Sequence, residues 1–434
     1  MSDRIPDPVE AKRYLSRKAI VKTEEWDDLK CGEHAHAFTV AHSRNANVLN
    51  DIFGLLNTAM NEGKSFNVFK KKLQGLMVDK GWYGGGGHTE KDKAYINWRT
   101  RLIYHVNMRT AYEAGRYRQQ VRGSELRPIW EYISKLVGKN RREDHIALHG
   151  KAFRWDDPFW NEFRPPNGWG CECSVVSLSE AGAAREGVEV LKSDVDGNPP
   201  AMVDRNGNAV DWKNFAPPEW KYNPGREALA PNFAKYENFK PDFLKTVMGN
   251  YNRSMSGTVI NKSEWMVIAE RANEPDYKPT HAMLQVGNLS DADYATVINK
   301  VGVFDSKIMA TDYNLWHSMG HKQKRIQEAK AAQRPQDEIQ RLINQTVDIK
   351  DFETVYKTYS SPEQIFIEKV EKEKETTVLL HFTKDMGNGK TLRIVFRARD
   401  ARRNKLSTAI QLVSMEIVES VEYMGGRYGT VKEK

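Results

Sequence analysis

Apolar positions in the first eighty residues recur at helical spacing. Behind the turn signal Pro6-Asp7-Pro8, Val9, Tyr14, Leu15 and Ala19 fall near one helical face. Val48, Leu49, Ile52, Phe53, Leu55, Leu56 and Met60 predict an amphipathic helix over 46–61, with Gly63 beyond its end. Phe66, Phe69, Leu73, Leu76 and Met77 predict the next helix, and the run Gly81-Trp82-Tyr83-Gly84-Gly85-Gly86-Gly87 predicts a loop. A long helix follows over 91–122. Residues 128–133 then alternate like a strand, and 193–241 are dense in Pro, Gly, Asn and Asp, which predicts short hairpins and a long connection.

The last part is patterned differently. Residues 282–286 and 301–308 read as short strands around a helix over 291–300, and helices are expected over 322–332 and 336–344. Residues 365–370, 376–382 and 392–397 have period-two patterning, and the latter two flank a Gly387-Asn388-Gly389 turn. The fold class expected is α+β. It combines a helix-rich N-terminal domain (1–180) that ends in a loop-rich His/Cys region, a Pro/Gly-rich connecting region (181–255) and a separate small α+β C-terminal domain (256–434).

Composition narrows the function classes. The 434 residues are too many for one ordinary core, and 29% charged with 39% apolar residues is a globular composition. No apolar run approaches the roughly 20 residues that cross a bilayer, so no membrane partner is expected. The start MSDRIPDPVEAKRYL has no apolar core region, which predicts action in the cytoplasm where the chain is made. A net charge of +8 and a pI near 9.0 favour an acidic partner. The arginines of the long helix, Arg101, Arg109, Arg116, Arg118 and Arg122, are the candidate nucleic-acid or partner-binding residues; a solvated or salt-bridged face is the competing reading.

The densest chemistry lies between 140 and 175. Three cysteines, Cys31, Cys171 and Cys173, do not describe a disulfide scaffold. Thiolate and imidazole suit zinc, so Cys171 and Cys173 with one or two of His145, Asp144 and His149 are candidate ligands of a structural Zn2+. The Cys-x-Cys spacing is tighter than the usual Cys-x2-Cys, and the other reading packs both cysteines as small apolar residues.

These residues carry a resemblance. The ordered segments Phe38-Thr39-Val40-Ala41, Gly81-Trp82, Asn107-Met108-Arg109-Thr110-Ala111-Tyr112-Glu113-Ala114-Gly115-Arg116, Arg127-Pro128-Ile129-Trp130-Glu131-Tyr132, His145-Ile146-Ala147-Leu148-His149-Gly150, Asp156-Asp157-Pro158-Phe159-Trp160 and Pro165 to Cys173 resemble the phage Mu F-like head morphogenesis family over about residues 8–180. The family usually has Cys-Arg-Cys where this chain has Cys171-Glu172-Cys173. The resemblance implies a minor head protein made late in lytic growth that acts in head morphogenesis. Its implied partners are portal, capsid and scaffold proteins, with packaged DNA or RNA as a further contact. The implied location is the virion, at the capsid interior or portal vertex, after assembly in the host cytoplasm.

The tail is faintly similar to the barnase, EndoU, colicin and RelE-like ribonuclease fold that is found fused to phage head proteins. The similarity rests on Trp316 to Lys322 and Asn404 to Ala409. Metal-free RNA cleavage needs a base, an acid and a cation for the phosphorane-like state. His317 and His321 would share a helix face, Lys322 or Arg399 would hold the phosphate, and Thr408 would orient it. The alternative function is thus a virion-delivered ribonuclease with the N-terminal half as its packaging module. A solvated helix face is the competing reading of the same histidines.

Overall fold

The computed structural model describes residues 8–79 (except 26, 42 and 44), 89–136, 141–274, 276–301, 305–372, 375–398, 409–419 and 429–432. The chain divides into two compact units, the first comprising residues 1–231 and 236–250 and the second 232–235 and 251–434. Helices and strands mix in both, as an α+β fold requires.

In the first unit the predicted helices form where their caps and apolar stripes place them. Helix Ala46–Glu62 starts where the Asn45 side chain accepts from the Asn47 amide and ends at left-handed Gly63; it buries Val48, Leu49, Ile52 and Leu56. Helix Glu90–Arg122 opens on a Thr89–Asp92 capping box and runs for 33 residues. Helix Val9–Ser16 lies along it. A short parallel pair joins β1 (Ala19–Ile20) to β2 (Ala37–Phe38), a pairing too brief to leave a sequence signature.

The His/Cys region is built on a four-stranded sheet. Its strands are β3 (Ile129–Ile133), β4 (Lys151–Arg154), β5 (Ser174–Leu178) and β6 (Glu189–Leu191), in the order β5-β3-β4-β6. β3 pairs antiparallel with β4 and β5, and β4 pairs parallel with β6. Trp130 and Tyr132 of β3 are fully buried. The rings of Phe153, Phe159 and Phe163 form a continuous stack, with centroid spacings of 3.9 and 4.9 Å.

The residues expected to connect the domains are largely packed into this unit. Phe215, Trp220, Tyr222 and Leu229 are buried, and helix Pro224–Leu229 comes so close to the long helix that a Cβ at Gly225 would lie 2.2 Å from that of Tyr117. The turn chemistry was legible: Asp194 and Asp204 each accept from backbone amides two and four residues on. The packing was not, because isolated aromatics between turns have no period to read.

The second unit centres on a seven-stranded sheet. The strands are β7 (Leu284–Asn288), β8 (Asp305–Ala310), β9 (Gln364–Lys372), β10 (Glu375–Gly387), β11 (Lys390–Ala398), β12 (Ala409–Glu419) and β13 (Gly429–Lys432), in the order β13-β9-β10-β11-β12-β8-β7. The predicted hairpin is the β10–β11 pair, and its turn residues Gly387, Asn388 and Gly389 all have positive φ. Period two sorts the faces: Leu380 and Phe382 are buried with Leu392, Ile394 and Phe396, while His381 on the opposite face meets the Glu368 carboxylate at 3.0 Å. Helices Lys262–Ala272 and Phe352–Ser360 contribute Trp265 and Tyr359 to the apolar side, where the Trp265 indole N–H donates to the Tyr359 hydroxyl at 3.4 Å. Among the described residues no helix is long and apolar enough to cross a membrane.

One ionic cluster gives this unit a pH dependence. Burial pushes the Glu274 carboxyl up, but Arg271, Lys235 and the Asn232 amide outweigh burial and hold it at about 2, against the usual 4.5. A carboxylate depressed on folding contributes stability above its unfolded pKa and loses it as pH falls through the folded one. The contribution, on the order of 2–3 kcal/mol at neutral pH, should therefore disappear between about pH 5 and pH 2. In Glu274→Gln, urea unfolding should lose less stability between pH 7 and pH 3 than in the wild type. Equal losses in the two proteins would refute this account.

Candidate metal centre

Three side chains from two separate segments meet beside the end of β3. His145 stands on the short helix Glu143–Ala147, which lies between β3 and β4. Cys171 and Cys173 lie just ahead of β5, after the turn in which Gly168 and Gly170 take positive φ. The antiparallel register pairs Ile133 with Ser174, so Cys173 lands next to Ser134, and its sulfur is 3.5 Å from the Ser134 hydroxyl. All three residues are buried, and their donor atoms lie within 4.8 Å of one another. His145 Nδ1 is 3.7 Å from Cys171 Sγ and 3.5 Å from Cys173 Sγ.

The surroundings fix each donor. His145 Nε2 is 3.3 Å from the Phe215 carbonyl, and its ring stacks on the Phe215 ring at 4.4 Å. The Tyr132 hydroxyl sits 3.5 Å from Nδ1 and donates to Asn167 Oδ1. The backbone beside the cysteines is pinned from three sides. Arg109 donates to the Glu172 and Cys173 carbonyls, Gln120 to the Val175 carbonyl and Arg142 to the Trp169 carbonyl. The Cys171 thiol's hydrogen bond to the Cys173 sulfur holds Cys173 well below the usual thiol range, with help from His145 and against the effect of burial; Cys171 is pushed up correspondingly. A void of about 10 Å³ adjoins the three donors and is bordered by Ser134, Lys135, Arg141, Arg142 and Glu172.

The structure brings together three of the five candidate ligands. His149 is not among them: it is exposed, and its Nδ1 accepts from the Ser134 amide at 3.2 Å. Four residues of spacing put His149 past the end of the five-residue helix, where the chain turns into β4. Asp144 is not in the group either. Tyr132, Ser134 and Phe215 border the centre unanticipated, because only strand pairing and the packing of a turn-rich segment bring them there.

A family model described as Phage Mu protein F like protein matches residues 50–176. Over these residues the chain is similar to the Mu F-like family. Over 193 residues the chain is 36% identical to a protein named "Putative capsid assembly protein F" of Escherichia phage Mu, covering 43% of this chain and 44% of that protein. Over 174 residues it is 37% identical to the Mu-like prophage FluMu F protein of Haemophilus influenzae, covering 40% of this chain and 42% of that one. The chain therefore matches less than half the length of these curated relatives. No solved structure matches it. All three clustered residues fall inside the Mu F-like segment.

The Mu F-like segment also contains the arginines of the long helix, and the structure gives several of them internal partners. Arg118 is buried and pairs with Glu10 at 2.6 Å, while Arg122 lies 4.0 Å from the same carboxylate. Arg109 clamps the cysteine segment and meets Glu113 at 3.4 Å, Arg116 is 3.8 Å from Glu113, and Arg101 covers the Phe66 ring. Arg118 and Arg109 thus hold the unit together rather than forming an open polyanion surface. Acidic partners distant in sequence, such as Glu10, are invisible to a helix-by-helix reading.

In the second unit His317 and His321 do share a face. Their rings stack at 5.7 Å, and Tyr313 and His281 extend the stack. Burial, and then the neighbouring His321, push the His317 pKa down. Lys322 is not aimed at a shared substrate position, because its ammonium donates to the Gln345 and Met415 carbonyls. Arg399 and Thr408 lie outside the described residues.

Proposed function

We propose that this chain is a phage minor head protein that acts in capsid assembly through its Mu F-like unit. The observation that carries the reading is the 36% identity, over 193 residues, to a protein named for capsid assembly. The surface of the unit adds a means of contact. A cleft of about 610 Å³ runs beside the long helix, lined mainly by apolar side chains that include Trp98, Leu102, Val106 and Trp220. Tyr95 and Trp98 stand at its mouth, 43% and 54% exposed. Large aromatics left in water beside an apolar cleft suit a protein partner, and the partner proposed is a portal or capsid subunit at the inner face of the procapsid.

The test uses full-length protein and procapsids of the same phage. The wild type should co-sediment with procapsids, and Trp98→Ala, which removes an exposed side chain, should fold normally and lose most of that association. Procapsids that assemble in normal yield and shape without the protein, and never retain it when it is present, would end this reading.

A second reading, RNA cleavage by the tail, draws on the stacked His317 and His321 pair. Full-length protein should then cut single-stranded RNA without added metal, and the double change His317→Ala, His321→Ala should abolish cutting. An intact substrate after incubation with folded wild-type protein would remove it.

A further inference from the structure

We infer that His145, Cys171 and Cys173 bind one zinc ion, with water as the fourth ligand in the void beside them. The inference is independent of the capsid reading, since it rests on the donor geometry alone.

Zinc–sulfur bonds of about 2.3 Å and zinc–nitrogen bonds of about 2.0–2.1 Å at tetrahedral angles set the nitrogen and sulfur atoms about 3.6 Å apart. The two nitrogen–sulfur separations here are 3.7 and 3.5 Å. Both nitrogen–sulfur edges thus match those of a tetrahedral ion, and the three donors lie within 4.8 Å of one another. Hydrogen bonding alone explains this poorly. A neutral imidazole nitrogen offers one lone pair, and two sulfurs converge on it.

The histidine is prepared as a ligand. With Nε2–H donating to the Phe215 carbonyl, the proton is held on Nε2 and the Nδ1 lone pair faces the sulfurs. An outer hydrogen bond that fixes the tautomer and ring plane is the usual companion of a metal-bound imidazole. The Phe215 ring stacked on His145 keeps solvent from that side. The charges also balance: two thiolates and one neutral imidazole around a dication make a neutral complex, which limits the cost of burial.

The fourth position follows from the misplaced histidine. His149 is not among the clustered donors, its Nδ1 accepting from the Ser134 amide, and the Tyr132 hydroxyl is engaged with Asn167. The adjoining void, at about 10 Å³, has room for one water molecule and little else. Zinc here would tie the helix that carries His145 to the segment leading into β5, two pieces more than twenty residues apart in sequence.

The experiment uses the full-length protein, purified without a metal-affinity step and dialysed into metal-free buffer, with zinc measured by plasma mass spectrometry. The expected result is one zinc per chain. His145→Ala and the double change Cys171→Ser, Cys173→Ser should reduce it to background, and His149→Ala should leave it unchanged. Cobalt added to the stripped protein should give the intense near-ultraviolet thiolate band and visible bands of a tetrahedral two-thiolate site. If the variants fail to fold, the wild type decides by itself. Stripping by a chelator should lower its thermal midpoint and expose two further thiols to a thiol reagent, and zinc should reverse both. A folded wild-type protein that holds no zinc and takes up no cobalt would overturn the assignment. So would a Cys171–Cys173 disulfide in the freshly isolated chain, or zinc retained by the double cysteine variant.

Discussion

Trp130→Ala should destabilise the first unit by about 3–5 kcal/mol. The indole, on β3, is fully buried. Tyr117 and Trp160 meet it edge-on at 5.8 and 5.6 Å, and the Arg164 guanidinium lies 4.9 Å from its centroid. Arg164 is itself fully buried and lies against both Trp130 and Tyr117, the latter at 5.1 Å from its ring centroid. Truncation therefore does two things: it opens a cavity too large for neighbouring aromatics to fill, and it leaves a buried cation without one of its two ring faces. Urea unfolding of the full-length protein, followed by circular dichroism, measures the loss, and Trp130→Phe should recover a large part of it. A loss below about 1 kcal/mol for the alanine variant would show that this core can collapse around the gap, contrary to the packing argued here.

The second large effect is expected at Asp312. Its carboxylate is buried and accepts three hydrogen bonds: from the Tyr277 hydroxyl at 2.6 Å, the Thr280 amide at 2.6 Å and the His281 amide at 2.9 Å. His281 holds a positive φ of 62°, a conformation disfavoured for a residue with a side chain, and the bond to its amide helps to hold it there. Asp312→Ala leaves two buried donors unmatched at about 1–3 kcal/mol each and the part-buried His281 amide unmatched as well, so a total of about 3–5 kcal/mol is expected after local relaxation. Hydrogen exchange should report the change as faster exchange at Thr280 and His281, with the four-stranded sheet of the first unit unaffected. Unchanged protection at those two amides would contradict this role.

How much could be read in advance depended on the range of the interaction. The helix Ala46–Glu62 was legible from its own residues, because its stripe and its Gly63 terminus are local. So was the β10–β11 hairpin, where the turn residues and the alternating strands adjoin. Strands β12 and β13 were not, since β12 also pairs in parallel with the distant β8 and β13 pairs with the distant β9, and neither has a turn signal to announce it. The same division runs through the candidate site. Cys171, Cys173 and His145 stood out by residue type, and imidazole with paired thiols suggests a metal whatever the fold. Choosing between His145 and His149 was beyond the sequence. The two are four residues apart, and only the end of the short helix at Ala147 turns one inward and the other to solvent.

The sequence by itself determined the secondary structure of the long periodic segments, the likeness of residues 50–176 to the Mu F-like family and the donor types available to a metal. These follow from local periodicity, motif order and side-chain chemistry. The tertiary structure alone decided which donors converge, that Arg109 and Arg118 are internal clamps, and that Phe215 closes one side of the histidine. The reason is physical. Each of those facts depends on segments distant in the chain being brought within a few ångströms by strand register and core packing, and no local pattern encodes that distance.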